Sequence, residues 1–529
     1  MSDAFTLSYG APARRAKHPA PFYGALGCYL SLVVAFCAQA PRPFQYSLAA
    51  AALVFSLWLM RSSLAEAVLL IVLVTHIGPV VQIDTGFAGG ANLGDLFVFL
   101  CFGAALLHWL RERPRPLSRL ASGFLVLAPL AAVSYLFTSD YMAALSPLIN
   151  LAEFFIAYVL VWTELRERDQ FQRLLAMIAL TVLVSGCMHL YFYQQGVSLS
   201  LASESGRELV YSGHLVKVDT QSMRYFQKTS FFYPTFVASC AVCAVLCIVN
   251  LVLPRKLALG RSLFYVVVLL VSLAEGLVQG NRTVLVTTGL CALMILWRLR
   301  RLSATTAIRR MALGAIALSA VVLAGYWIQQ SLLNDPQKNA FRYMLIDEAP
   351  LSWHDRMEIW KSIGSRCLLY PKELIVGMGP DAPLKGSHID NIAAITYVAA
   401  LGTNVPSFHN FYIDLVFQFG LVFFIVFAVN LARTMIRLRR LSIRTGDITS
   451  SSCLFALAAW IILWNSHATS WTKPTLIFAQ LMAVGHGLLA LHPAYVIRVC
   501  AVFERRPPQR STAAVALAGV CPTLRTRRT

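Results

Sequence analysis

Three side chains stand where a base and two phosphate-binding cations would be needed at a membrane surface. His409, in Pro406-Ser407-Phe408-His409-Asn410-Phe411-Tyr412, directly precedes a long apolar run. Imidazole is the side chain most readily used as a base near neutral pH. Arg282, in Gln279-Gly280-Asn281-Arg282-Thr283, occupies a very short polar turn between two apolar runs. A guanidinium there is costly unless paired. Arg356 lies in Trp353-His354-Asp355-Arg356-Met357-Glu358-Ile359-Trp360, within a long polar stretch. Arg224 and Lys228 precede another apolar run and could reach the same anion. Each has a plainer reading. His409 could anchor a helix at the interface, Arg356 could be an ordinary surface arginine, and Arg282 could pair with Glu275, about two helical turns earlier.

Local patterns place these residues. Met357, Trp360, Ile363 and Cys367 recur at helical spacing, which predicts an amphipathic helix across 353–368 lying on the membrane or capping a bundle. Asp355 or Ser352 could cap it. Arg356 then falls in the first turn, where a cation opposes the helix dipole unless an anion is bound. Gly377-Met378-Gly379-Pro380 reads as a turn. On a helix, Tyr412, Val416 and Gly420 would share the face of His409, and Asp414 would not. The glycines around Glu275-Gly276 suggest a break in that helix.

The elements that must position these residues are membrane helices. Of the 529 residues, 57% are hydrophobic and only 13% charged, roughly half the charged fraction of a soluble domain. Apolar runs of bilayer-spanning length recur along nearly the whole chain. Fourteen spans are predicted: 21–39, 44–60, 64–80, 93–110, 120–138, 143–163, 171–193, 230–253, 262–279, 283–297, 310–328, 410–431, 451–468 and 474–491. The fold class is therefore an all-α polytopic membrane protein of 12–14 transmembrane helices, with a large outer loop before the last three spans. The organisation runs from a cytoplasmic segment 1–20 to a transmembrane bundle 21–328 containing the outer loop 194–229. A large outer loop 329–409, C-terminal spans 410–491 and a cytoplasmic tail 492–529 follow.

A net charge of +20 could suggest nucleic acid, but its distribution excludes that partner. Threading the chain through the spans puts most of the 45 Lys and Arg on one side; examples are Arg111, Arg113, Arg115, Arg119, Arg433, Arg437, Arg439 and Arg440. This is the positive-inside pattern, with both termini cytoplasmic and both long loops outside. The basic excess also attracts anionic membrane lipids. The first apolar run resembles a signal peptide but is longer than a usual signal core, and it is read as the first span. Most of the 12 cysteines lie in spans, for example Cys240, Cys243 and Cys247, and read as small packing residues. No spacing suggests a metal site or a structural disulfide in the outer loop, and no cofactor is expected.

The order of these features resembles the bacterial O-antigen ligase and polymerase superfamily. The resemblance rests on Gln279-Gly280-Asn281-Arg282-Thr283, Arg356-Met357-Glu358-Ile359-Trp360, Gly377-Met378-Gly379, and His409-Asn410-Phe411-Tyr412 running to Phe419-Gly420-Leu421. It covers about residues 230–430, with Asn281 where the family more often has Ser. The resemblance implies a bundle like those of C-type glycosyltransferases in the bacterial cytoplasmic membrane. The implied donor is an undecaprenyl diphosphate-linked oligosaccharide, the acceptor a glycan or lipid A–core, and partners include other glycan assembly proteins. The implied enzyme is a metal-independent inverting glycosyltransferase. His409 would take the acceptor proton, and Arg282 and Arg356, with Arg224 and Lys228, would hold the diphosphate.

Chain length favours a polymerase over a ligase. Two readings of another class compete. A polysaccharide transporter or lipid flippase would use Glu66, Asp95, Glu153 and His486 within the membrane. A scaffold for glycan assembly would not need His409.

Overall fold

The computed structural model describes residues 20–77, 91–112, 114–137, 141–194, 236–253, 258–278, 282–299, 371–377, 379, 410–464 and 473–492. It also describes short strand segments at 82–83, 197–199, 215–217, 397–398 and 403–404. Fifteen helices lie among the described residues: α1 (Ala20–Cys37), α2 (Arg42–Ser62), α3 (Leu64–Ile77), α4 (Leu93–Arg111), α5 (Arg119–Leu125), α6 (Leu127–Tyr135), α7 (Tyr141–Glu164), α8 (Arg168–Gln194), α9 (Phe236–Val252), α10 (Leu259–Val278), α11 (Arg282–Leu299), α12 (Pro371–Val376), α13 (Phe411–Thr445), α14 (Ile448–Leu463) and α15 (Lys473–Leu491). The connections carry three antiparallel ladders: β1 (Gln82–Ile83) with β2 (Ala91–Asn92), β3 (Val197–Leu199) with β4 (Leu215–Lys217), and β5 (Tyr397–Val398) with β6 (Thr403–Asn404).

The chain is a helical multi-pass membrane protein. Among the described residues, six helices are long and apolar enough to cross a membrane, and six shorter apolar helices accompany them. The distribution of apolar side chains agrees. Helix α3 is buried at every position from Glu66 to Ile77, as expected of a helix apolar all round. Helices α14 and α15 are buried along nearly their whole length. Around this centre, α2, α10 and α11 turn large apolar side chains outward, including Leu57, Trp58, Leu263, Leu293 and Trp297. Contiguous outward apolar faces of this extent need lipid rather than water.

Thirteen predicted spans correspond to described helices, with shifted edges; 310–328 lies outside the described residues. The span 120–138 is two helices, α5 and α6, meeting at Val126. Pro129 explains the joint, because its ring has no N–H to donate and crowds the Leu125 carbonyl. Helix α13 does not end near 431 but runs on to Thr445. Arg433, Arg437, Arg439 and Arg440, read as a loop, therefore ride on a helical extension. Gly276 does not break its helix, since α10 continues to Val278.

Charged groups gather where four connections meet at one end of the bundle. Arg173 of α8 pairs with Glu66 at the start of α3, and Arg168 pairs with Asp447 between α13 and α14. Asp447 also caps α14, accepting from the Thr449 and Ser450 amides at 3.2 and 2.9 Å. Trp109 Nε1 donates to Glu164 Oε1 at 2.9 Å, and Gln172 Nε2 to Thr449 Oγ1 at 2.8 Å. All four connections are ones that the sequence assigns to the basic side.

Candidate functional site

Arg282 is the first residue of α11, so its backbone amide belongs to the unsatisfied group at a helix N-terminus. The helices around it approach closely. A Cβ on Gly276 would meet Val284 Cγ1 at 2.9 Å, and one on Gly186 would meet Val271 Cγ1 at 2.6 Å. These glycines let α11 and α8 close on α10. Beside the second contact, His189 Nδ1 and Glu275 Oε2 are 2.6 Å apart, with side-chain exposures of 3% and 0%. Glu275, offered by the sequence as a partner for Arg282, is thus engaged by a histidine on α8. The sequence reading missed His189; its signal was an imidazole inside an apolar run, which a membrane core tolerates only when paired.

Asn410 begins α13. Its Oδ1 accepts from the Tyr412 and Ile413 amides at 3.0 and 3.2 Å, a capping arrangement. The helix start is locked to the end of α14. The Phe411 amide donates to the Trp464 carbonyl at 3.0 Å, and its ring stacks on the Trp464 indole at 4.0 Å between centroids. Tyr412 donates its hydroxyl to the Ile461 carbonyl at 3.0 Å. His409 precedes this cap and lies outside the described residues, as do Arg356, Arg224, Lys228 and the predicted helix across 353–368.

Two motifs of the sequence reading meet directly. Gly377 and Gly379 adopt φ of +88° and +98°; Met378 and Pro380 of the predicted turn lie outside the described residues. Gly377 packs against a break inside α13 at Gly420, where φ is +85° and ψ 165°. The Gly379 amide donates to the Gln418 carbonyl at 3.1 Å. Gly420 therefore does not extend the helical face expected for His409. It is the seat of the Gly377–Gly379 turn.

No family model matches the chain, and no curated protein matches it.

Two of the four polar groups invoked for transport, Glu66 and His486, are engaged in packing. Glu66 pairs with Arg173. His486 is bonded through both ring nitrogens, to the Tyr158 hydroxyl at 2.6 Å and to Thr434 Oγ1 at 2.8 Å. Thr434 donates its own hydrogen to the Asn430 carbonyl at 2.8 Å, so its oxygen must accept from His486 Nε2–H. His486 Nδ1 then accepts from Tyr158, which fixes a neutral tautomer. Asn430 continues the chain to the Gly123 carbonyl at 3.0 Å. This line of bonds ties α7, α15, α13 and α5 together. Chemically, the end of the bundle bearing the α13 start offers a capped helix start locked to α14, and α11 adds a helix N-terminus whose first residue is Arg282.

Proposed function

We propose that the protein transfers a glycan from an undecaprenyl diphosphate carrier to an acceptor hydroxyl at the outer face of a bacterial cytoplasmic membrane, as a polysaccharide polymerase. In this reading His409 removes the acceptor proton, and the acceptor oxygen attacks the anomeric carbon. The bond from that carbon to the diphosphate oxygen breaks with inversion, and the departing charge is held by Arg282 and Arg356. Arg suits that role through its fork of donors, and an anion at the α11 N-terminus is favoured by amides that have no partner within the helix.

The observation that carries the reading is the seat of Gly377 and Gly379 on Gly420. It joins the large outer loop to α13 within eleven residues of His409, so two separated motifs form one structure. The basic connections 111–119, 164–173 and 433–444 favour a cytoplasmic placement of their end of the bundle, and hence of both termini. The donor's diphosphate, an acceptor glycan and other assembly proteins are then met on the opposite side. Ligation to lipid A–core remains the alternative reaction on the same site.

The test is reconstitution in liposomes with an undecaprenyl diphosphate-linked oligosaccharide. Wild-type protein should build longer lipid-linked glycans, and His409→Ala should build none while inserting normally. Undiminished product from His409→Ala removes the base. Movement of donor without a new glycosidic bond favours transport instead. In a deletion strain, single-repeat glycans indicate the polymerase, and full-length glycan left on the carrier indicates the ligase.

A further inference from the structure

We infer that Arg115 and Arg166 bind the phosphate of an anionic lipid headgroup, at the end of the bundle where the α4–α5 and α7–α8 connections meet. This site is independent of the proposed transfer reaction and lies at the opposite end from the start of α13.

Arg115 stands between two prolines in Arg113-Pro114-Arg115-Pro116, which hold the connection extended and withdraw its backbone donors. Its guanidinium lies over the Trp162 ring at 4.4 Å from the centroid, and that indole is fully buried. Stacking fixes the plane of the fork but satisfies none of its N–H groups. Nη1 is buried without a hydrogen-bond partner, and a buried donor left unmatched is costly.

The local charges do not supply the acceptor. Burial, and then the neighbouring Arg166 guanidinium, push the Arg115 pKa below its usual range. Of the nearby carboxylates, Glu164 accepts from Trp109, and Glu112 faces His108 at 3.5 Å. Arg166 donates Nε to the Thr163 carbonyl at 3.2 Å, which anchors the second guanidinium one residue after Trp162, the ring beneath Arg115, and within electrostatic reach of the first. One guanidinium held over an indole with an unmatched N–H, beside the exposed Arg166, is complementary to a phosphate oxygen that both cations share.

The surroundings point to a lipid as the source of that phosphate. Leu107, Leu110 and Leu117 flank the connection with outward side chains, Leu110 at 83% exposure. Acyl chains would cover these leucines, and a free anion would leave them bare. Anionic headgroups also add attraction for each basic residue near the surface.

Native mass spectrometry of the full chain in detergent, titrated with phosphatidylglycerol or phosphatidylcholine, reads the site directly. The expected result is preferential retention of phosphatidylglycerol, weakened about tenfold by Arg115→Gln and by Arg166→Gln. Arg433→Gln, at an exposed arginine elsewhere, should leave it unchanged. Arg166 is exposed, so its variant keeps the test open should Arg115→Gln not fold. Equal retention of the two lipids, or wild-type retention in Arg166→Gln, overturns the inference. Thermal stabilisation by inorganic phosphate equal to that by phosphatidylglycerol overturns the lipid source.

Discussion

Gly377 and Gly420 meet backbone to backbone, both in the left-handed region. A Cβ on Gly377 would stand 2.7 Å from the Gly420 nitrogen, and a Cβ on Gly420 would stand 2.2 Å from the Ile375 carbonyl oxygen. Neither position has room for a side chain, and the neighbouring atoms are backbone that cannot rotate away. The contact fastens a loop turn into a break in α13, and it explains why both motifs need glycine.

Gly420→Ala should therefore be severely destabilising, by about 3 kcal/mol or more, since it combines backbone strain with an immovable clash. Gly446 is the control. It too has positive φ, +64°, but a Cβ there meets nothing within 4 Å. Gly446→Ala should cost only about 1 kcal/mol. Thermal unfolding of the two variants in detergent compares them. Equal losses would mean that the packing of the turn on α13 is not what restricts position 420.

How much of this was legible in the sequence depends on which physics set each feature. Hydropathy reports removal from water, whether into lipid or into the bundle, so the helices around Val68, Cys243 and Trp460 were readable from composition alone. Helix ends were less readable. Arg433 to Arg440 mark the edge of the apolar run, but α13 continues beyond it because a polar helix needs no lipid to persist. The Gly377 and Gly379 turn was visible as residue type. Its partner was not, because the fit of Gly377 on Gly420 is a tertiary contact across a long loop. His189 escaped notice for a related reason: its partner Glu275 lies on another helix, and no local spacing links them.

The His189–Glu275 contact should be strongly coupled. Removing either partner leaves a polar group buried against α8 or α10, so His189→Ala and Glu275→Ala should each cost about 3–5 kcal/mol. Replacing both with apolar residues of similar size, His189→Leu with Glu275→Leu, should cost less than the sum of the single losses. A double-mutant cycle on unfolding midpoints measures this. Additive effects would show that the 2.6 Å contact contributes little beyond packing.

Asn410 should act through its cap rather than through chemistry. Asn410→Ala removes the acceptor for two amides and should cost about 1 kcal/mol. Asn410→Asp and Asn410→Ser keep an acceptor oxygen and should retain most of that stability. If transfer activity is recovered in both variants, Asn410 serves to hold the start of α13. If Asn410→Asp matches wild type in stability yet shows no transfer, the residue has a role in the reaction that capping does not explain.

The proposed reaction makes its sharpest demand on Arg282. It opens α11, whose first amides have no partner within the helix, and in the proposed reaction its side chain would add a fork able to grip two phosphate oxygens at once. Arg282→Lys keeps a cation but not the fork. It should lose part of the rate, whereas Arg282→Ala should lose about 100- to 1000-fold if charge stabilisation of the leaving group is the main term. Convergence can be checked separately, without any activity. Cysteines placed at 282 and 409 should be joined by a short bifunctional thiol reagent that cannot cross the membrane, added from the outside. Single-cysteine chains, and a pair of 282 with a position at the Asp447 connection, set the background. Labelling of 282 and 409 from opposite sides of the membrane would separate the cation from the base. No shared diphosphate site could then be built from them.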